Sequence, residues 1–533
     1  MDRFIPGRAG VAFAAGLARR PDRVARRAAG LAGGLARAAA GRGETGDRRF
    51  ADPAWTDNPV FSRLAQGYLA AGRTLDGLLS DAKLDIQDER RVRFALENLH
   101  DAAAPSNYLL TNPVALRATV EERGANLVRG ARNFAGDMAS APRLPASVDA
   151  DAFEVGVDVA ATPGAVVLRT ELFELIQYAP QTDMVRAEPV LFVPPMVNKY
   201  YLVDLAPERS LVESLVRAGQ QVFALSWRNP TEEHRDWTLD TYAAGVLEAA
   251  EAITAITGSE RFHLAGNCSG GALVSALAAR MAVRGEQDRL GSIMLGVTVI
   301  DSERAGTASA FMGPEIARIA VKAVDGRGYL DGEALQSFFA WLRPNDLIWN
   351  YVQNNYLLGR TPPAFDILFW NAHTTRMAAG LLRDLANLAV SNGLAQQDVI
   401  ELLGTSIDLG AVKTDAYVVG GISDHITPWE NCYATTQLLG GDTRFVLSRS
   451  GHVAALVNPP GNPKARYRVA DDGVNPPAAE DWLEGAEERT GTWWTDWAAW
   501  LGERSGTVKR APKRLGNRRY AAIGPAPGTY VND

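Results

Sequence analysis

The spacing of hydrophobic positions changes near residue 150, and this change divides the chain into two predicted regions. Between residues 50 and 145 apolar side chains recur three or four positions apart, which predicts helices. Pro113 and Pro142 interrupt this pattern and mark breaks between helices. We therefore predict a mainly helical N-terminal domain over residues 47–150.

After residue 150 the pattern becomes one of short apolar runs separated by helical stretches. Pro207 suits the first turn of one such helix, and Thr238 suits the N-cap of another over 239–256. Strands that alternate with helices predict a mostly parallel sheet with helices on both faces. The runs that we predict to be strands are 166–168, 189–193, 221–227, 261–265, 415–420 and 444–448.

The stretch 301–410 interrupts this alternation and is rich in aromatic and amide side chains, as in residues 341–351. An insertion between sheet strands lies where α/β folds place a cap over their site. We therefore predict a core of residues 151–300 and 411–533 with a cap inserted at 301–410.

Composition excludes several classes of protein. The net charge of −7 argues against general nucleic-acid binding. Two cysteines in 533 residues fit a reducing compartment, and no apolar run approaches the roughly 20 residues of a membrane-spanning helix. We expect a cytoplasmic protein.

Residues 1–46 form an Arg/Ala-rich segment that differs from the rest of the chain. Residues 1–49 hold eleven Arg and four acidic residues, a net charge of +7. Arginines that alternate with apolar residues are typical of an amphipathic helix on a lipid or polymer surface. A transit peptide and a disordered tail are equally compatible with this composition, so the segment is left unassigned.

The segment around Cys268 carries the most specific chemical signal. A short apolar run leads into Gly266-Asn267-Cys268-Ser269-Gly270-Gly271, and a helix-forming stretch follows. This order predicts a nucleophile elbow, the sharp strand-to-helix turn of α/β-hydrolases, with a thiol in place of serine. The other cysteine, Cys432, lies in a predicted helix, and we interpret it as a small buried apolar residue.

Two further residues complete a candidate triad in the chain order of α/β-hydrolases. Asp424 follows the strand at 415–420, and His452 follows the strand at 444–448. His425 competes for the role of base, but its neighbour Asp424 could not easily orient it. We expect His263 to be a packed core residue, and we assign no catalytic role to His100, His234 or His373.

A thiolate nucleophile favours acyl transfer from a thioester, because one thiol replaces another at similar energy. The oxyanion should be held by the backbone N–H of Ser269 and by a second N–H from the loop after the 189–193 strand. In that loop we predict Val197, with its neighbour Met196 as the alternative. The four tryptophans at 493, 494, 497 and 500 recur at helical spacing, and we expect them to pack in the core.

The chain resembles the polyhydroxyalkanoate synthases, which polymerise hydroxyacyl-CoA into storage polyester. The resemblance runs from about residue 47 to the C-terminus, while residues 1–46 have no clear match. It is nearest to the single-chain, medium-chain-length type. The similar stretches are 193–201, 226–230, 266–271, 343–349, 365–371, 423–429, 450–452, 458–463 and 514–518.

The resemblance implies an α/β-hydrolase fold and a function. Cys268 would carry the acyl chain, His452 would be its base, and Asp424 would orient His452 or help to activate the incoming hydroxyl. The implied reaction is polymerisation of (R)-3-hydroxyacyl-CoA with release of CoA; a thioesterase or polyester depolymerase with the same triad is the alternative. Asn198, Tyr200 and His425 are predicted substrate-binding residues.

The resemblance also implies partners. These are the growing polyester chain, the surface of a polymer granule with its coat proteins, and a second copy of the chain in a homodimer. No cofactor, metal or nucleic acid is expected.

Overall fold

The structure, a computed structural model, describes residues 7–43, 46–304, 314–470 and 473–533. They fall into two compact units. The first, which we call the N-terminal unit, comprises Met1–Asp149 and Glu333–Ala364. The second, the sheet unit, comprises Ala150–Gly332 and Phe365–Asp533.

Seven α-helices form the first part of the N-terminal unit. They are α1 Gly7–Ala18, α2 Pro21–Ala39, α3 Ala54–Asp57, α4 Pro59–Ala82, α5 Ile86–Ala102, α6 Pro113–Glu121 and α7 Ala125–Ala139. The predicted breaks are observed: Pro113 is the first residue of α6, and its predecessor Asn112 caps the helix through its side chain. The helical character predicted for this region is therefore confirmed.

Residues 7–39 of the segment that the sequence left unassigned form the helices α1 and α2. Arginines of α2 pair with an acidic residue of α4: Arg23 and Arg27 lie 2.9 and 2.7 Å from the Asp81 carboxylate. The carboxyl pKa of Asp81 is lowered to about 2 by these contacts, above all by the hydrogen bond from Arg27. Part of the positive charge of this segment is thus matched within the N-terminal unit.

Among its described residues, the sheet unit contains seventeen strands, eleven of which form one sheet. They are β1 Gly164–Arg169, β2 Phe173–Tyr178, β3 Met184–Arg186, β4 Val190–Val193, β5 Val222–Trp227, β6 Phe262–Asn267, β7 Leu290–Gly296, β8 Tyr329–Leu330, β9 Met377–Ala378, β10 Glu401–Leu402, β11 Thr405–Ser406, β12 Ala416–Gly421, β13 Thr443–Ser448, β14 Arg466–Val469, β15 Glu487–Thr490, β16 Val508–Arg510 and β17 Gly524–Pro525.

Eleven further α-helices follow α7 in the part of the chain that the structure describes. They are α8 Leu211–Arg217, α9 Leu239–Thr257, α10 Ser269–Val283, α11 Pro314–Val324, α12 Gly332–Leu342, α13 Asp366–Ala372, α14 Ala379–Ser391, α15 Trp429–Leu438, α16 His452–Leu456, α17 Ala479–Gly485 and α18 Trp493–Arg504.

The large sheet has the order β15-β14-β13-β12-β7-β6-β4-β5-β2-β1-β17. The six strands from β13 to β5 are mutually parallel, and antiparallel strands extend the sheet on both sides. The central strands β4, β6 and β12 are buried along their whole length, as parallel strands covered on both faces require. The predicted α/β class is confirmed. The sheet is mixed rather than mostly parallel, since five of its ten strand pairings are parallel and five are antiparallel.

One predicted helix boundary is wrong. We predicted that Pro207 opens a helix, but α8 begins at Leu211. Ser210 is the N-cap, because its hydroxyl accepts a hydrogen bond from the Glu213 N–H at 2.9 Å. Glu208 has φ 63°, a left-handed conformation that a helix interior excludes. The predicted start of α9 after Thr238 is confirmed.

The segment predicted as a cap, 301–410, is divided between the two units. Residues 333–364 belong to the N-terminal unit, where two short π-helical stretches, Asn345–Trp349 and Val352–Leu357, follow α12. Amide side chains hold the second stretch: Asn126 donates to the Leu357 carbonyl at 2.8 Å, and Asn355 donates to the Ala146 carbonyl at 2.8 Å. These bonds explain the abundance of amides that the sequence displays here, while the covering function of the segment stays a prediction.

Three tryptophans of α18 lie in the core of the sheet unit, as predicted. Trp493, Trp494 and Trp497 are at most 1% exposed. The indole N–H of Trp493 donates to the Ala455 carbonyl at 2.7 Å, and that of Trp494 donates to the Leu456 carbonyl at 3.0 Å. These bonds hold α18 against α16, the short helix that begins at His452.

Candidate functional site

Cys268 occupies the turn between β6 and α10 in a strained backbone conformation. Its φ of 50° and ψ of −123° lie outside the regions that residues with a side chain normally adopt. The turn is fixed by a hydrogen bond from the Cys268 N–H to the Gly296 carbonyl of β7, at 2.9 Å. The predicted nucleophile elbow is thus observed, with a half-buried thiol at its tip.

The glycines around Cys268 are required by close packing of the backbone. A Cβ on Gly266 would lie 2.6 Å from the Gly270 carbonyl oxygen. A Cβ on Gly270 would overlap the Val193 carbonyl oxygen at the end of β4. Any side chain at these positions would push apart β6, α10 and the loop after β4, so the glycines set the position of the turn.

Asp424 and His452 come together at the carboxyl ends of neighbouring parallel strands. Asp424 follows β12 and His452 follows β13, and the His452 Nδ1 lies 2.7 Å from Asp424 Oδ2. The predicted pairing of these two side chains is therefore observed. His425, the competing histidine, is next to Asp424 in sequence and half-buried.

The Asp424 carboxylate is buried and saturated with hydrogen bonds. Its Oδ1 accepts from the backbone N–H groups of Ile426 and Thr427, both at 2.9 Å. Its Oδ2 accepts from the Thr427 hydroxyl at 2.5 Å as well as from His452. Burial raises the carboxyl pKa, but the bonds to His452 and Thr427 outweigh it and lower the pKa below its ordinary value.

The groups around His452 favour its protonated form. Burial opposes the charge, but the hydrogen bond to Asp424 and the nearby Cys268 thiol raise the imidazole pKa to about 10. The imidazole is therefore bonded to the Asp424 carboxylate and lies close to the Cys268 thiol. This arrangement can transfer a proton to or from a group bound at Cys268.

The loop after β4, Pro194–Lys199, is fixed at both ends by tryptophan side chains. The indole N–H of Trp227 donates to the Pro194 carbonyl at 3.0 Å. The indole N–H of Trp370 donates to the Lys199 carbonyl at 2.8 Å. Val197, the predicted second oxyanion donor, is buried in this loop at 8% exposure. We name this segment the oxyanion loop.

Ser269, the predicted first oxyanion donor, is the first residue of α10. Because it lies in the first turn, its N–H has no partner within the helix, as an oxyanion donor requires. The Ser269 hydroxyl is buried without a hydrogen-bond partner among the described residues.

The predicted substrate-binding residues lie in different environments. Asn198 is half-buried in the oxyanion loop. Tyr200 is only 3% exposed and packs edge-on against Tyr201 in the core of the sheet unit, so its side chain is shielded from solvent. The substrate-binding roles of these residues and of His425 stay predictions.

The remaining histidines have structural environments. His263 is buried in β6, where Nδ1 lies 2.8 Å from the Ser292 hydroxyl, and burial lowers its pKa to about 3. The expectation of a core histidine is confirmed. His100 stacks on Tyr68 within the N-terminal unit, and His234 accepts from the Thr231 N–H at 2.9 Å. Cys432 is fully buried, as expected, and burial raises its pKa.

Three residues of the site were missed by sequence reasoning. Thr427 bonds to Asp424 and lies 3.2 Å from His452 Nδ1; the spacing Asp-x-x-Thr is a turn signal that could have identified it. Trp227 and Trp370 contact the oxyanion loop through backbone carbonyls, and no pattern in the sequence indicates such contacts.

The described residues hold no group of three or more His, Cys, Asp or Glu side chains placed to bind a metal ion. Within the same residues no helix combines the length and apolar character needed to cross a membrane.

Two family models match the chain. Residues 46–215 match the N-terminus of poly-beta-hydroxybutyrate polymerase (PhaC), and residues 189–459 match the alpha/beta hydrolase fold. The second match covers the elbow, Asp424 and His452, and agrees with the sheet order described above.

Curated relatives match nearly the whole chain. Poly(3-hydroxyalkanoate) polymerase 1 of Ectopseudomonas oleovorans is 45% identical over 490 residues, which is 92% of this chain and 87% of that protein. The poly(3-hydroxyalkanoate) polymerase subunit PhaC of Cupriavidus necator is 40% identical over 492 residues, 91% of this chain and 83% of that protein. The poly(3-hydroxyalkanoate) polymerase of Methylorubrum extorquens is 40% identical over 491 residues, 91% and 80% of the two chains.

Proposed function

The chain belongs to the poly(3-hydroxyalkanoate) polymerase family, and from that premise we propose how its residues perform the reaction. The enzyme is an acyltransferase that joins 3-hydroxyacyl groups from CoA thioesters into a polyester and releases CoA. Cys268 is the acyl-carrying nucleophile, His452 the general acid and base, and Asp424 the residue that orients His452. The observation that carries this proposal is the 2.7 Å hydrogen bond between His452 and Asp424, together with the influence of the nearby Cys268 thiol, at the tip of the elbow, on the pKa of His452.

The first half of the reaction transfers the acyl group to the enzyme. The Cys268 thiolate attacks the thioester carbonyl, and the carbonyl oxygen becomes an oxyanion held by the N–H groups of Ser269 and Val197. When the intermediate collapses, the bond to the CoA sulfur breaks. The leaving thiolate takes a proton from His452, so CoA leaves as the thiol and Cys268 keeps the acyl group as a thioester.

The second half transfers the acyl group to a hydroxyl group. The hydroxyl of a second hydroxyacyl group attacks the acyl-Cys268 carbonyl while His452 accepts the hydroxyl proton. A new ester bond forms, and the Cys268 sulfur leaves as the thiolate. No other group is required for this balance, so we propose that the reaction uses no cofactor beyond the CoA of the substrate.

Asp424 acts through His452 rather than directly on the hydroxyl. Its two oxygens already accept four hydrogen bonds, and only 7% of the residue is exposed. A hydroxyl substrate would have to displace one of these donors in order to reach the carboxylate. The orienting role leaves all four bonds intact.

Association with a polymer granule in the cytoplasm is supported by the surface of the N-terminal unit. Large apolar side chains are exposed there, including Leu110 at 79%, Val120 at 78% and Val128 at 64%. Exposed apolar side chains favour contact with an apolar surface such as a polyester. By family resemblance, granule coat proteins and a second copy of the chain in a homodimer are the further partners that we propose.

A product assay tests the proposed function. Purified enzyme is incubated with (R)-3-hydroxyacyl-CoA of several chain lengths, and CoA, polymer and free hydroxy acid are measured separately. We expect CoA release that is matched by polymer. Free acid as the main product would instead identify a thioesterase or depolymerase activity.

A further inference from the structure

The C-terminal segment 528–533 lies against the oxyanion loop and contacts it through a buried lysine. Lys199 is the last residue of the oxyanion loop and is only 3% exposed. Its Nζ donates to the main-chain oxygen of Asp533 at 2.9 Å and to that of Tyr530 at 3.4 Å. We name residues 528–533 the strap.

The strap is itself anchored to the sheet by a buried acid. Glu174 of β2 is fully buried, and its Oε2 accepts from the backbone N–H groups of Thr529 and Tyr530 at 2.8 and 2.9 Å. The Tyr530 hydroxyl donates to the Thr170 carbonyl at 2.6 Å, and Val531 is fully buried in the core. Residues 529–531 of the strap are therefore held against the sheet unit through their backbone N–H groups and through the Tyr530 and Val531 side chains.

Lys199 is costly to bury, so its position requires an explanation. Burial lowers its pKa to about 8, which means that the environment opposes the charge. Its carbonyl accepts from Trp370, while its side chain donates to the strap. The end of the oxyanion loop is thus fixed from two directions, two residues after Val197.

We propose that Lys199 is a positioning residue that couples the strap to the oxyanion loop and sets the place of the Val197 N–H. This inference rests on the proposed function, since it assumes that the oxyanion loop stabilises the transition state. Lys199 acts through the backbone and does not touch the reacting atoms. Displacing an oxyanion donor by about 1 Å is enough to lower the rate strongly.

The test compares Lys199→Met with Lys509→Met in the full-length enzyme. Lys509 is the control, because its Nζ likewise donates to the main chain, in this case to the single carbonyl of Thr257 at 2.8 Å. We expect Lys199→Met to lower kcat for CoA release by at least about tenfold while KM changes by less than about twofold, since the lost interaction acts in the transition state. Lys509→Met should keep the wild-type kcat.

Two further variants separate positioning from folding. Lys199→Arg keeps a cationic donor and should restore part of kcat. Glu174→Gln weakens the strap without touching the oxyanion loop, and it should lower kcat in the same way as Lys199→Met. Circular dichroism establishes that each variant is folded; if Lys199→Met does not fold, Trp370→Phe, which removes the other bond to Lys199, takes its place with the same expected loss of kcat.

Three results would overturn the inference. The first is a wild-type kcat in folded Lys199→Met, or in Trp370→Phe where that variant replaces it. The second is a loss of kcat in Lys199→Met that Glu174→Gln does not share. The third is an equal loss of kcat in Lys509→Met. Failure of the proposed function is distinct from these, because the wild-type enzyme itself would then release no CoA or would form free acid.

Discussion

At the residue scale, the chemistry depends on how Asp424 and His452 share a proton. The short contact between His452 Nδ1 and Asp424 Oδ2, 2.7 Å, fixes the orientation of the ring and leaves Nε2 for proton transfer. Thr427 strengthens this arrangement, since its hydroxyl bonds to the same carboxylate oxygen. The imidazole is therefore oriented before substrate arrives.

Replacing Asp424 by Asn tests this orientation. An amide can present its N–H to His452 and select the wrong tautomer, so we expect kcat for CoA release to fall by about 10²- to 10⁴-fold. KM for the hydroxyacyl-CoA should change little. Steady-state kinetics check this prediction, and Asp415→Asn, at a half-buried residue before β12, is the control. A kcat within a few-fold of wild type would contradict an orienting role for Asp424.

The buried His263 should make the free energy of unfolding depend on pH in the acid range. Burial lowers its pKa to about 3 in the folded protein, below the ordinary value of 6.5. Below pH 6.5 the His263 imidazole binds a proton in the unfolded chain but stays neutral in the folded protein. Stability is therefore lost as the pH falls from 6.5 towards 3. The loss is up to about 1.4 kcal/mol per pH unit.

The measurement is the free energy of unfolding by urea between pH 7 and the acid limit of folding, for wild type and His263→Gln. The variant lacks the titrating group, so its stability should fall less steeply below pH 6.5. Parallel curves for the two proteins would contradict a buried neutral His263.

At the element scale, the elbow depends on three backbones that meet without side chains between them. β6 enters the turn, α10 leaves it, and the end of β4 packs against Gly270. The strained Cys268 conformation persists because these three elements fix both sides of the turn. Activity should therefore be sensitive to any added volume here.

Gly270→Ala tests this packing. The new methyl group would overlap the Val193 carbonyl, which cannot rotate away, so α10 or the oxyanion loop must move. We expect a loss of at least about 100-fold in CoA release, together with a destabilisation of about 1–3 kcal/mol. Gly485→Ala is the control, since nothing lies within 4 Å of the added atom. Wild-type activity in folded Gly270→Ala would contradict the account.

The elements that sequence reasoning predicted are those whose pattern is local. Local sequence is sufficient to identify these elements. The strands β6, β12 and β13 are short apolar runs that are largely buried, and the helix α9 begins directly after a capping box at Thr238. The predicted start of α8 was wrong because Ser210 caps the helix and Glu208 is left-handed, which overrides the preference of Pro207 for the first turn of a helix.

Long-range contacts explain what the sequence could not indicate. Asp424 and His452 were predicted because the order of their strands places both at one edge of the sheet. The contacts of Lys199 and Trp370 could not be predicted because their partners, the strap and the Lys199 carbonyl, are distant in sequence and involve only backbone atoms. The inclusion of 333–364 in the N-terminal unit likewise depends on amide contacts with distant carbonyls.

At the scale of the whole molecule, the growing product must stay near the enzyme while it becomes insoluble. We propose that the exposed apolar side chains of the N-terminal unit contribute to adsorption on polyester. All of these side chains belong to the N-terminal unit, and none of them is a residue of the elbow.

A triple substitution of Leu110, Val120 and Val128 by Ser tests this surface. We expect the variant to partition less onto polyester particles in a sedimentation assay, because apolar area is lost, while CoA release in solution is unchanged. The matched control replaces three exposed apolar residues of the sheet unit, Val157, Val508 and Ile523. Equal losses in both variants would contradict a specific role of the N-terminal unit.

Intact-protein mass spectrometry after rapid acid quench with (R)-3-hydroxyacyl-CoA tests whether Cys268 carries the acyl chain. We expect a mass increase equal to one or more hydroxyacyl groups, located by peptide mapping on Cys268 and absent from Cys268→Ala. An adduct on another residue, or polymer formed by Cys268→Ala, would contradict it.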